Sequence, residues 1–270
     1  MLRKITKIII FMAIIAAAVA LYFTLHGRKA DNNIQTNTVN PPAQDQSETT
    51  KQPEPENKPA ETVTGSVGKE ELASEEQPAK TIPEKYLLDM PFYSQAPLSK
   101  WDAFHEEMCE EASILNAGLY LEEKKLTKDQ FEAELQKIQN IEKKEVGEWE
   151  STTISQTKKW ADVYFGGNLH IKIIENPTID EIEAEIAAGN PVVVPLAGRD
   201  IGNPNFTPPG PIYHMLVVKG YDSQNFITND VGTRKGSSYT YRKDVIMKNI
   251  HDWNEKDIHL GTKKVLVLYK

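Results

Sequence analysis

The apolar positions of the chain fall into three regimes. From Ile5 to Leu25 they run together, broken only by Thr6, Lys7 and Thr24. That length matches the roughly 20 residues needed to cross a bilayer. From Arg28 to Lys85 apolar residues become sparse and no aromatic residue occurs, while Gln, Asn, Thr, Glu, Ala and Pro fill the segment. From Tyr86 onward apolar positions return with the periods of packed elements. Ala112, Leu115 and Leu119 recur on one face of a helix expected over about His105–Leu121. Thr127-Lys-Asp-Gln130 is a capping box that opens a second helix with Phe131, Leu135 and Ile138 as its buried stripe. A third helix is expected from a cap at Ser151 to about Tyr164, carrying Ile154 and Trp160.

Strand signals dominate the remainder. Residues 87–93 read as an extended lead-in, and His170–Ile174 alternates weakly as a short strand. Thr178-Ile-Asp-Glu181 opens one more helix, which Gly189-Asn-Pro191 ends before a buried strand at Val192–Pro195. Met215–Tyr221 and Asn225–Thr228 form a hairpin across Asp222-Ser-Gln, and Val265–Tyr269 closes the sheet. Helices first and a mostly antiparallel sheet afterwards predict an α+β domain with the helices packed on one side.

Three segments follow: a membrane anchor at 1–27, a disordered stalk at 28–85, and one folded domain at 86–270 holding every tryptophan. Arg3, Lys4 and Lys7 ahead of the apolar run favour a cytoplasmic N-terminus, although Arg28 and Lys29 behind it weaken the bias. Cleavage after Ala18-Val-Ala20 is the rival reading, but it would leave Leu21-Tyr-Phe at the mature end. Either way the domain is expected outside the cytoplasm, as a single-pass membrane protein, on a flexible stalk reaching about 40–45 Å. A net charge of −8, with no basic stripe, argues against a nucleic-acid partner. Nothing in the pattern indicates an oligomeric state.

Cys109 is the sole cysteine, so it has no intramolecular disulfide partner. It is expected within the first turn or so of its helix, where partial positive charge favours a thiolate. His214 opens a strand and Asp230 ends the next one, so a tight hairpin would bring both to one end of the sheet. A base beside the thiol and a carboxylate orienting that base is the arrangement thiol hydrolysis needs. A lone buried cysteine is more often inert packing. Glu106, Glu107, Glu110 and Glu111 around it also oppose ionisation, unless the turn of the helix points most of them away. Asn229 competes with Asp230, since adjacent strand residues face opposite ways and only one can serve. His105, four residues before Cys109, competes as a base or metal ligand, with a solvated helix-start residue as its default. No second cysteine or close His/Cys cluster supports a metal, and no cofactor is implied. The loop 197–211 borders the expected cleft, with Arg199 and Phe206 as contact candidates.

Met90-Pro-Phe-Tyr-Ser-Gln95, Cys109-Glu-Glu-Ala-Ser, Tyr213-His214-Met-Leu-Val-Val-Lys-Gly-Tyr-Asp222 and Asn229-Asp230 together resemble the bacteriocin-processing (double-glycine leader) peptidase family. The likeness is greatest to its stand-alone, membrane-anchored members. It implies a papain-like fold with Cys109 as nucleophile, His214 as general base and acid, Asp230 as orienting group and Gln95 in the oxyanion hole. The family's common Cys-Gly-Pro-Ala-Ser is Cys-Glu-Glu-Ala-Ser here, Gln95 lies farther from the nucleophile than usual, and no transporter domain is attached. The expected activity is hydrolysis of a peptide or protein substrate outside the membrane. Alternatives are a thiol acyltransferase or amidase on cell-wall peptides, and a silent papain-like binding domain, which the crowded carboxylates favour.

Overall fold

The computed structural model describes residues 81–147 and 150–270. The expected anchor, and the stalk up to residue 80, lie outside that range. Among the described residues no helix is long and apolar enough to cross a membrane.

The described residues form six α-helices and seven strands. The expected helix over His105–Leu121 is two helices, α1 at Ala103–Glu106 and α2 at Cys109–Leu121. Asp102 caps α1 by accepting from the His105 N–H. The chain then turns so that Met108 is fully buried, and α2 starts at the next residue. The break makes Cys109 the first residue of its helix. α2 is buried on nearly every side, so it is the central helix of the domain rather than an amphipathic surface one.

Helix α3 (Lys128–Glu145) has the expected Thr127/Gln130 capping box and buries Phe131, Leu135 and Ile138. Helix α4 (Ile154–Phe165) is capped by Thr153, not Ser151, because Thr153 has Gln156 three residues on to complete the box. The Thr178/Glu181 box opens α5 (Ile179–Ala187) as expected. Helix α6 (Lys243–Asn249) follows a short strand at Tyr239–Arg242. Neither had a periodic signal to announce it.

The strands are β1 (Tyr86–Leu87), β2 (His170–Glu175), β3 (Val192–Ala197), β4 (Tyr213–Tyr221), β5 (Asn225–Asn229), β6 (Tyr239–Arg242) and β7 (Lys264–Tyr269). They lie in the order β2-β7-β3-β4-β5-β6, with β1 beside β4. Every one of these pairings is antiparallel. The domain is therefore α+β with an antiparallel sheet, as the sequence pattern indicates, and the helix bearing the cysteine packs on it. β3 and β4 are buried along their whole length, so the middle of the sheet is covered on both faces. The hydroxyl of Ser113, on α2, donates to the Met215 carbonyl on β4. That bond sets the start of α2 against the start of β4, where Cys109 and His214 lie.

Candidate active site

His214, the second residue of β4, is 1% exposed. Its Nε2 lies 2.8 Å from Asp230 Oδ1. Asp230 follows directly after β5 and is fully enclosed. It accepts four hydrogen bonds: His214 Nε2 and the Gly232 N–H (3.1 Å) on Oδ1, Asn203 Nδ2 (2.8 Å) and the Tyr241 hydroxyl (2.5 Å) on Oδ2. Burial works against ionisation of Asp230, but His214, Tyr241 and Asn203 outweigh it and hold the carboxyl below its usual range. Burial and the facing carboxylate push the Tyr241 hydroxyl far up, so it remains a donor. An ionised Asp230 on Nε2 leaves the proton there, so Nδ1 is the basic nitrogen of the neutral ring.

The ring is also wedged in place. Phe206 meets it edge-on, with centroids 5.2 Å apart. Gly232 also abuts it, at a point where a Cβ would come 2.7 Å from His214 Cε1 and 3.0 Å from Phe206 Cε1. Gly232→Ala is therefore expected to displace the imidazole from Asp230. Any turnover that relies on this imidazole should fall about 10- to 100-fold in kcat with a smaller change in KM, since misplacement by about 1 Å costs that order of rate. Steady-state kinetics of the variant checks this, and an unchanged kcat would show the ring has slack.

Asn229 takes no part in this arrangement. Its Nδ2 donates to the Pro91 carbonyl at 2.8 Å and its Oδ1 accepts from the Ser238 N–H. The alternation of strand side chains thus turns Asp230 to the histidine and Asn229 to the lead-in.

Cys109 is 6% exposed, and its Sγ donates to Glu110 Oε2 at 2.9 Å. Burial raises the thiol pKa most, followed by the charge of Glu110, its hydrogen bond and Glu111, while the Met215 backbone acts in the opposite direction. Of the four carboxylates, Glu110 alone hydrogen-bonds the sulfur, and the others turn elsewhere, as the sequence leads one to expect of most of them. Glu110 and Glu111 are buried, because α2 is enclosed on nearly every side and has no solvent face to give them.

Gln95 reaches the same place from the lead-in. Its backbone N–H donates to the Val231 carbonyl, beside Asp230. Its Nε2 donates to the carbonyls of His105 (2.8 Å) and Glu106 (3.1 Å), and its Oε1 is buried without a partner. Both amide hydrogens thus pin the turn that precedes Cys109. An oxyanion role needs one of them released.

His105 is not the solvated residue the sequence implied. It is 4% exposed, with Nδ1 at 2.7 Å from Asp102 and Nε2 at 2.8 Å from Glu132. Both nitrogens are taken by carboxylates, so the ring ties α1 to α3 and offers nothing to the thiol or a metal.

Gln95, Cys109 and His214 line one cleft of about 850 Å³. Trp101, Phe206, Ile212 and Trp253 supply apolar wall, Glu106, Glu107 and Glu150 acidic rim, and Arg234 and Lys235 basic rim. Phe206 is a cleft residue as expected, but Arg199 is not among the residues lining it and donates instead to the Gly210 carbonyl. Asn203 and Tyr241, which complete the Asp230 cage, carry no sequence signal, since each is a single polar residue brought in from a different element.

Residues 87–257 match a family model described as "Peptidase_C39 like family". Among solved structures, a chain from Bacillus anthracis described as a C39-like peptidase is 15% identical with a TM-score of 0.46, covering 70% of this chain and 98% of that one. No curated protein matches the chain.

Proposed function

The chain belongs to the Peptidase_C39 like family of cysteine peptidases, and we propose that it hydrolyses peptide bonds through Cys109, His214 and Asp230. The observation that carries this reading is the His214–Asp230 pair, held by a buried cage in the cleft that the sole cysteine also lines. His214 Nδ1 takes the thiol proton and the sulfur attacks the carbonyl carbon. His214 then gives that proton to the leaving amine, which departs and leaves a thioester. Water, deprotonated by the same nitrogen, releases the acid and regenerates the thiol. Asp230 keeps its charge throughout and stabilises the imidazolium. The Cys109 backbone N–H stands at the oxyanion, joined by Gln95 once one of its bonds to the His105 or Glu106 carbonyl opens.

The apolar run at 5–25 supports a membrane tether, with 28–85 as the stalk that holds the domain outside the cytoplasm. The full-length chain is expected to stay with membranes after alkaline washing and to cleave extended peptides there, with cleavage abolished by a thiol-directed inhibitor. Release by the wash would replace the anchor with a cleaved signal. Cleavage that survives the inhibitor would exclude Cys109 as nucleophile. A second reading, a cleft that binds peptides without turnover, is favoured by one observation, the thiol directed at Glu110. Binding without cleavage in the same assay would establish it.

A further inference from the structure

Glu110 directly follows the proposed nucleophile and is 2% exposed. Both of its oxygens are committed. Oε2 is 2.9 Å from Cys109 Sγ and Oε1 accepts the Thr152 N–H at 3.0 Å. Thr152 is itself fixed, with its carbonyl accepting from the Tyr213 hydroxyl and its own hydroxyl bonded to that of Thr157. The carboxyl is therefore held against the sulfur by a clamp from the chain between α3 and α4. Several titratable groups surround this pair. Cys109 and Glu111 come from α2, Tyr213 and His214 from the start of β4, Glu142 from α3 behind Glu111, and Asp252 from the segment after α6, acting on Tyr213. All but His214 are acids or neutral donors.

We propose that Glu110 is a positioning residue that works in its protonated form, hydrogen-bonding the Cys109 thiolate, and that its carboxylate form holds the thiol protonated and inactive. The inference rests on the peptidase reading. Its chemistry follows from proton accounting. A sulfur and an oxygen 2.9 Å apart need a proton between them. If Glu110 carries its own proton, the thiol can give its proton to His214 Nδ1, and the contact persists as S⁻···H–O. If Glu110 is ionised, the only proton left for the contact is the thiol's, as S–H···⁻O, and the nucleophile is quenched. Burial and Glu111 push the Glu110 carboxyl up to about 8, against the bonds from Cys109 and Thr152. The acid form thus prevails at neutral pH and yields on the alkaline side. Successive carboxyls beside a nucleophilic thiol, which look disabling in the sequence, become compatible with its ionisation once the nearer one is neutral.

The test is alkylation of the full-length protein by iodoacetamide, followed by mass spectrometry. Cys109 is the single cysteine, so label uptake reports that thiol alone. For the wild type the rate constant is expected to fall about tenfold from pH 7 to pH 9, following loss of the proton from a group near 8, whereas an ordinary thiol reacts faster over that range. Glu110→Gln keeps a carbonyl for Thr152 and an N–H for the sulfur but cannot ionise, so its rate should stay within about threefold across the same interval. Glu110→Asp, still ionisable, should retain a falling limb. A wild-type rate that rises through pH 8, or a Glu110→Gln profile that falls like the wild type, overturns the inference. If Glu110→Gln fails to fold, the wild-type and Glu110→Asp profiles decide. His214→Ala separates this from the peptidase reading. Its rate at pH 7 should drop about tenfold or more, and an unchanged rate would defeat the Cys–His pairing itself. A drop in His214→Ala combined with a wild-type-like Glu110→Gln would defeat only the role of Glu110.

Discussion

Cys109→Ser and His214→Ala are each expected to lower kcat/KM for peptide hydrolysis by about 10⁴-fold, the scale on which a nucleophile and its base act as one unit. The structure indicates that the two variants differ in stability. A serine at 109 keeps a donor for Glu110 in nearly the same volume, so the fold should be unaffected within about 1 kcal/mol. An alanine at 214 removes a fully buried ring that packs against Phe206 and Gly232, and takes one of four donors from an ionised, enclosed Asp230. A cost of about 2–4 kcal/mol follows from the cavity and the weakened cage. Asp230→Asn should lower hydrolysis less completely, because in the proposed mechanism Asp230 orients the base without itself transferring a proton. Its stability should nevertheless suffer. Each Asp230 oxygen accepts two hydrogen bonds, and an asparagine must turn an NH₂ toward one of those pairs of donors. Kinetics paired with thermal denaturation resolves the two effects. Residual cleavage by Cys109→Ser above a hundredth of wild type would remove Cys109 from the mechanism.

The second large effect is on stability against pH. Glu111 and Glu142 are both buried, and Glu142 lies close enough to act on the Glu111 carboxyl. Two anions could not be so placed, so at least one keeps its proton. Burial, then the charge of Glu142, hold the Glu111 carboxyl well above the ordinary value, and burial and Glu111 hold Glu110 at about 8. A carboxyl whose folded pKa is raised binds its proton more tightly folded than unfolded. Its contribution is complete below the unfolded value near 4.5 and is lost as pH rises through the folded one. Asp230 acts oppositely, since its carboxyl is depressed and its contribution is lost as pH falls below about 4. The domain should therefore be most stable near pH 4–5 and lose a few kcal/mol by pH 8, since each tenfold difference in proton affinity between folded and unfolded chain is worth about 1.4 kcal/mol. Glu111→Gln supplies a permanent N–H to Glu142, so it should flatten this slope. At pH 8 its Tm should exceed that of the wild type by several degrees, at about 2–4 °C per kcal/mol, with little difference at pH 5. A wild-type Tm that climbs from pH 5 to pH 8 would contradict neutral buried acids. Such an outcome would also weaken the case for a protonated Glu110, because the two carboxyls share the same enclosed helix end.

Local chemistry in the sequence determined a good deal. The boxes at Thr127/Gln130 and Thr178/Glu181 locate helix starts because a cap satisfies its donors with residues three apart, with no help from the rest of the fold. The 3.6 period identifies α3, the continuous apolar run at Val192–Pro195 identifies β3, the turn at Asp222-Ser-Gln identifies the β4–β5 hairpin, and the α+β class follows from the order of the elements. Cys109, His214 and Asp230 stand out by residue type and motif, and strand alternation shows in advance that Asp230 and Asn229 exclude each other. Tertiary structure decided which of the two faces the imidazole, because that depends on how β5 sits against β4 and the lead-in. It also broke the first helix at Met108, since burying that side chain and clamping His105 between Asp102 and Glu132 outweigh a continuous helical pattern. The carboxylates beside the thiol show the difference most plainly. The sequence places four glutamates around Cys109 but cannot say which are buried. Burial is a property of α2 being enclosed by other elements, and burial determines whether a glutamate is a charge beside the nucleophile or a proton held against it.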